Sequence, residues 1–146
     1  MDNLETERKL PTIEAISGIF VNKNGKILLV RRNLKRTYNP GTCDLIGGDV
    51  PPGETPIQTL ARDAEEKLGI KLSEETVETK GVKNIEAPNT IIRRHIFVCQ
   101  ISNKISIKID PKKYDQYGWY DASQVEQLDL TPGVKEILIS VGLLKE

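Results

Sequence analysis

The residues best placed to do chemistry fall in one stretch, Gly47 to Ile70. It carries Glu54, then Arg62, Asp63, Glu65, Glu66 and Lys67. Carboxylates three and four residues apart on a helix address the same volume. The same spacing sets Arg62 beside Glu66 and Asp63 beside Lys67, so both pairs can close as ion pairs along the helix. No other part of the chain combines a rigid glycine- and proline-rich turn, a helix start and grouped acids.

The helix that would present these groups is well marked. Thr55 is the expected N-cap, Pro56 opens the first turn, and Gln58 completes a capping box. Ile57, Leu60, Ala61, Ala64 and Leu68 recur at three- and four-residue steps and form one apolar face. Gly69 is the expected C-cap.

The elements that must hold this helix are strands. Ile13 to Val21 reads as a strand, with Ile13, Ala15, Ser17 and Ile19 facing one way and Glu14, Ile16, Gly18 and Phe20 the other. Asn24-Gly25 marks a tight hairpin turn. Lys26 to Arg32 returns with an apolar centre that suits burial on both faces. Thr42 to Ile46 is a short strand leading into a corner at Gly47-Gly48. Thr76 to Ile85 contains a strand broken at Gly81, and Ala87-Pro88-Asn89 turns into a clear strand over Thr90 to Ile101. Asn103 starts a turn. Lys104 to Ile109 alternates as a half-exposed strand should, and Tyr117 to Tyr120 is another short strand. Asp121 caps a short helical turn near Gln124. Thr131-Pro132 repeats the Thr-cap, Pro-first signal ahead of an apolar stripe at Val134, Ile137, Leu138 and Val141. An α/β sandwich, with a mixed β-sheet between helices, accounts for this order.

Composition sets the frame. With 146 residues, 38% hydrophobic and 29% charged, the chain can bury a core as one domain, preceded by a polar arm over residues 1–10. Lysines plus arginines number 21, as do the acids, so no broad field draws in nucleic acid or an anionic membrane. Cys43 and Cys99 read as reduced thiols, and with the lone His95 they have no zinc-site spacing. The polar N-terminus and the lack of a long apolar run suggest a cytoplasmic protein. Arg31, Arg32, Lys35 and Arg36 cluster after the second strand. They read first as a solvated loop, and otherwise as a phosphate-facing edge. His95 reads as a packed strand residue.

The stretch resembles the Nudix box, G-x5-E-x7-R-E-U-x-E-E-x-G-U, where U is a bulky aliphatic residue. Gly48, Glu54, Arg62, Glu66 and Gly69 match outright, with the spacing kept throughout. Ile70 fits the last aliphatic position and Ala64 is a smaller apolar residue than usual. Ile27 to Arg32, Cys43 to Gly48 and Trp119-Tyr120-Asp121 resemble the family's flanking strands, so the likeness runs over residues 12–145. It implies a Nudix-like α/β/α sandwich of the MutT-like kind. It also implies an Mg²⁺- or Mn²⁺-dependent hydrolase of a diphosphate linkage in a nucleoside diphosphate joined to another moiety. On that resemblance Asp63 and Glu66 are the expected metal ligands, Gly48 offers a backbone carbonyl, and Glu54 and Asp115 are further candidates. Arg62 would orient the acids. Arg31, Arg32, Lys67 and Arg94 are the candidate substrate contacts. The partner is a small nucleotide or other diphosphate, with neither nucleic acid nor membrane expected and a homodimer left open.

Two positions depart from the box. Asp63 stands where the family has Glu, one methylene shorter. Lys67 stands where a second Glu would bind metal, and it brings a cation that repels a dication. A catalytically weakened Nudix domain that binds a nucleotide or phosphorylated ligand is therefore the alternative reading.

Overall fold

The computed structural model describes residues 10–102 and 104–146. The arm expected over residues 1–10 lies almost wholly outside the described residues, as does the turn expected at Asn103.

Strand β1 (Thr12–Val21) is the spine of one mixed sheet. Its alternating side chains feed two cores, one on each face. Ile16 and Phe20 join the first, while Ile19 and Val21 join the second. The Asn22–Gly25 turn returns the chain into β2 (Ile27–Arg32), with Gly25 at φ 76° and the Asn22 side chain accepting from the Asn24 and Lys26 amides. Next come β3 (Cys43–Asp44) and β4 (Ile46–Asp49), then helix α1 (Pro56–Leu68). A 3-10 turn at Glu74–Thr76 leads into β5 (Val77–Ala87), whose hairpin returns as β6 (Thr90–Gln100). Strand β7 (Tyr114–Tyr120), the short helix α2 (Ala122–Val125) and helix α3 (Val134–Ser140) complete the order.

The strand order β3-β2-β1-β6-β5 has β4 added to β1 and β7 added to β2. β6 runs parallel to β1 along its whole length, from Thr12↔Ile91 to Val21↔Gln100. The opposite edge of β1 is shared. β2 pairs with it through Val21↔Ile27, and β4 takes Ala15 to Gly18 in antiparallel register. β2 thus leaves β1 soon after the hairpin, and β4 fills the edge it vacates. Helix α1 covers the first face through Leu60, Ala64 and Leu68. Helices α2 and α3 cover the second through Val125, Val134, Ile137 and Leu138. The layers are those of an α/β/α sandwich.

Four local expectations are corrected. Gly47 and Gly48 lie within β4, paired to Ser17 and Ile16, rather than at a corner. Lys104 to Ile109 joins no strand. Its alternation reflects Ile105, Ile107 and Ile109 packing on the first core, while the Lys108 amide donates to the Leu68 carbonyl at the end of α1. Helix α3 starts at Val134 with Gly133 as N-cap and no side-chain cap. The Thr131 hydroxyl is taken by Thr42, at 2.6 Å, and its amide by Cys43, so Thr131 fastens the loop to β3 instead of capping the helix. Ala61 is exposed, and the buried ridge of α1 is Leu60, Ala64 and Leu68, flanked by Thr59, Asp63 and Lys67.

Candidate functional site

Helix α1 is set by its ends. The Thr55 side chain accepts from the Gln58 amide, and the Gln58 side chain accepts from the Thr55 amide. Gly69 closes the helix in the left-handed region at φ 69°. These caps fix the rotation of the helix on the sheet, so Thr59, Asp63 and Lys67 form a polar line beside its apolar ridge. The line faces β4, where two residues lack side chains. A Cβ on Gly47 would stand 2.6 Å from the Ile16 carbonyl oxygen of the paired strand. A Cβ on Gly48 would stand 3.2 Å from the Asp63 carboxylate and 3.4 Å from the Lys67 ammonium. The glycines let strand and helix approach closely enough for their polar atoms to meet.

Lys67 fills that approach. Its Nζ donates to the Gly47 carbonyl at 2.6 Å and to Asp63 Oδ2 at 3.3 Å. Both side chains are buried, Lys67 at 10% and Asp63 at 5% exposure. Burial pulls the Lys67 pKa below its ordinary value, and the Asp63 charge opposes that pull. The position in the last turn of α1 favours a cation, because helix carbonyls converge there.

Arg62 organises the outer side of the same turn. Its guanidinium donates to both Glu54 carboxylate oxygens at 3.1–3.3 Å and to Glu66 at 3.3 Å, and lies 3.5 Å from Asp63. The Thr59 hydroxyl also donates to Glu54. The Arg62 hydrogen bonds, then that of Thr59, hold the Glu54 carboxyl below the usual range. Glu66 is 61% exposed and points its charge toward solvent and Arg62.

A cavity of about 260 Å³ opens beside Lys67. Its wall includes Arg32, Arg36, Lys67, Arg94 and Lys113, with Asp44 the one acid among the described residues that line it. The Arg94 guanidinium donates to the Ile16 carbonyl and the Ser17 hydroxyl, both at 3.1 Å. Asp44 accepts from the Leu45 amide at 2.8 Å and from Arg32 at 3.4 Å. Burial pushes its carboxyl up, against the charge of Arg32.

The structure therefore brings together Gly48, Asp63 and Lys67, and beside them Glu54, Arg62 and Glu66. Of the substrate candidates, Arg32, Lys67 and Arg94 share one cavity. Arg31 does not line it. Its guanidinium takes both oxygens of Asp115, at 2.7 and 2.8 Å, so Asp115 does not join the acids of α1 either. The carbonyl in use is that of Gly47, one residue ahead of the expected Gly48. His95 bonds Glu14 at 2.7 Å, a strand-packing role. Sequence reasoning missed Asp44 and Lys113 and set Arg36 among solvated charges. A lone acid entering an apolar strand, as in Asp44-Leu45-Ile46, is the signal for Asp44, since a buried acid requires partners.

A divalent cation does not fit this arrangement. Among the described residues, no group of three or more His, Cys, Asp or Glu side chains is disposed to hold an ion. Gly47 and Asp63 already hold an ammonium, while Glu54 and Glu66 hold Arg62. Mg²⁺ demands near-octahedral oxygen coordination, which these committed groups do not offer.

Comparison with known proteins places the chain. A model of the NUDIX domain matches residues 11–140. The nucleoside triphosphatase NudI of Escherichia coli O1:K1 is 28% identical over 134 residues, covering 86% of this chain and 94% of NudI. The MutT protein from Methanosarcina mazei Go1 superposes with a TM-score of 0.74 at 22% identity, covering 91% of this chain and 94% of that one. The NUDIX domain of Shewanella oneidensis NrtR, solved with ADP ribose, superposes with a TM-score of 0.73 at 15% identity, covering 95% and 90%. The matched span takes in the sheet, α1 and the cavity, and the chain belongs to the Nudix family.

Proposed function

We propose that the cavity takes the phosphoanhydride part of a small nucleotide and that the chain hydrolyses a diphosphate linkage in it. A nucleoside diphosphate joined to another moiety is the substrate class. The observation that carries this reading is the convergence of five cationic side chains and a single acid on one cavity. Cations fixed where phosphate charge develops stabilise a phosphoryl-transfer transition state without reorganising. NudI is a nucleoside triphosphatase by name, and the NrtR domain holds ADP ribose, which agrees with a nucleotide ligand.

In this reading Arg32, Arg36, Arg94 and Lys113 pair with phosphate oxygens, and Lys67 adds an ammonium from the α1 side. Asp44 is the acid within the cavity able to accept the proton of an attacking water. Water adds to a phosphorus, the bridging P–O bond breaks, and the leaving phosphate carries away the electron pair. Arg62 is a positioning residue that holds Glu54 and Glu66. Mg²⁺ or Mn²⁺ serves the family in general, but no step here is assigned to it, because the donors present are committed.

A second reading, a Nudix domain that binds its nucleotide without turnover, is favoured by the Lys67 contact with Gly47 and Asp63. A chromatographic screen of nucleoside triphosphates and nucleoside diphosphate conjugates, with EDTA and with Mg²⁺, separates the two. Turnover that Asp44→Asn abolishes while ligand binding persists supports the hydrolase. Binding without product in every condition selects the second reading. Neither binding nor turnover across the panel overturns both.

A further inference from the structure

We infer that Lys67 is a tethered cation standing in for a bound divalent ion, so that phosphate recognition in this cavity needs no Mg²⁺. The inference rests on the phosphate-binding cavity proposed above and gives that site its ionic requirement.

Three observations carry it. The ammonium is fixed by the Gly47 carbonyl at 2.6 Å and by Asp63 at 3.3 Å, and both side chains are buried. An ammonium has three donors, and these two contacts leave one for a ligand oxygen. Lys67 also lines the cavity together with Arg32, Arg36, Arg94 and Lys113. A phosphate bound there would meet a cation on the α1 side without any ion being recruited.

The second observation is the space the cation occupies. Gly48 contributes no side chain, and a Cβ there would come within 3.4 Å of the ammonium. The pocket between β4 and α1 is therefore filled to the limit by Lys67 and Asp63. A hydrated dication with its own oxygen shell is too large for it, and the ammonium repels it.

The third is the commitment of the remaining acids. Arg62 holds Glu54 through both oxygens and holds Glu66 at 3.3 Å. Releasing either toward a metal would cost the guanidinium one of its acidic partners. The two cations, Lys67 inside and Arg62 outside, between them contact Glu54, Asp63 and Glu66.

Calorimetry of the full chain tests this with two probes, Mg²⁺ alone and inorganic pyrophosphate. Wild-type protein is expected to show no Mg²⁺ binding in the millimolar range and to bind pyrophosphate equally well, within about twofold, in EDTA and in Mg²⁺. Lys67→Met is expected to weaken pyrophosphate about tenfold or more in EDTA. Lys67→Glu is expected to lose binding in EDTA, recover it on addition of Mg²⁺, and take up Mg²⁺ alone.

Mg²⁺ binding by wild type, or pyrophosphate binding that requires Mg²⁺, overturns the inference. Absence of pyrophosphate binding in every condition overturns the cavity reading, and the Mg²⁺ titration of wild type against Lys67→Glu still decides the role of Lys67. The wild-type titrations carry the test by themselves if a variant fails to fold.

Discussion

Lys67→Met is the sharpest probe of how the chain holds its buried charges. The substitution keeps an unbranched side chain one atom shorter and removes its charge. Asp63, at 5% exposure, then keeps only the Arg62 contact at 3.5 Å. Removing one partner of a buried ion pair costs about 3–5 kcal/mol, because the survivor is left in a poor solvent. The Arg62 contact puts the cost at the low end, about 3 kcal/mol, which corresponds to a fall in Tm of roughly 6–12 °C for a chain of this size. Asp63→Asn in the same molecule removes the stranded charge, leaving the Gly47 carbonyl and a neutral amide. The double variant is expected to recover about 1–2 kcal/mol over Lys67→Met, a coupling of the size seen between contacting residues. Equilibrium urea denaturation reads both values, with an unchanged slope as the sign that the native state is intact. If Lys67→Met falls within about 0.5 kcal/mol of wild type, or if the double variant is as unstable as the summed singles, the buried pair does not hold these elements as described.

Gly47→Ala forces a Cβ to 2.6 Å from the Ile16 carbonyl, where the obstacle is backbone rather than a flexible side chain. It is expected to cost about 1–3 kcal/mol in thermal or urea denaturation. Burial pushes the Cys99 thiol up to about 12, from 9.0, so the folded state keeps a proton that the unfolded state gives up. That contribution is complete below pH 9 and is lost as pH rises toward 12, amounting to about 1.4 kcal/mol by about pH 10. Cys99→Val should flatten the fall of urea stability across this range. Asp115→Asn should change stability by about 0.5 kcal/mol or less and leave pyrophosphate affinity within about twofold, because its carboxylate serves a half-exposed pair with Arg31 outside the cavity.

Much of the architecture is legible in the residues because its signals are local. The Thr55–Gln58 box, Pro56 and Gly69 bound α1 as their chemistry requires, and the alternation along Ile13 to Val21 assigns side chains to two cores. Local signals mislead where a distant partner takes the group. Thr131 has the look of a cap, yet Thr42 on another element claims its hydroxyl. The alternation of Lys104 to Ile109 measures burial against α1, with no neighbouring strand to form a ladder. At the candidate site, Asp63, Glu66 and Arg62 are legible from spacing. The Gly47 carbonyl as anchor and Asp44 in the cavity depend on β4 pairing with β1, a contact no short stretch encodes.

The Lys67 ammonium at the end of α1 also has a consequence for descent. Lysine and glutamate codons differ by a single first-position base, so one transition separates a charge that is part of the polypeptide from a charge that must be borrowed from the medium. A lineage can cross between the two without rebuilding the strand, the helix or the glycine approach that holds them. The tethered form frees the protein from competition for the cell's magnesium; the borrowed form makes its ligand affinity follow that supply.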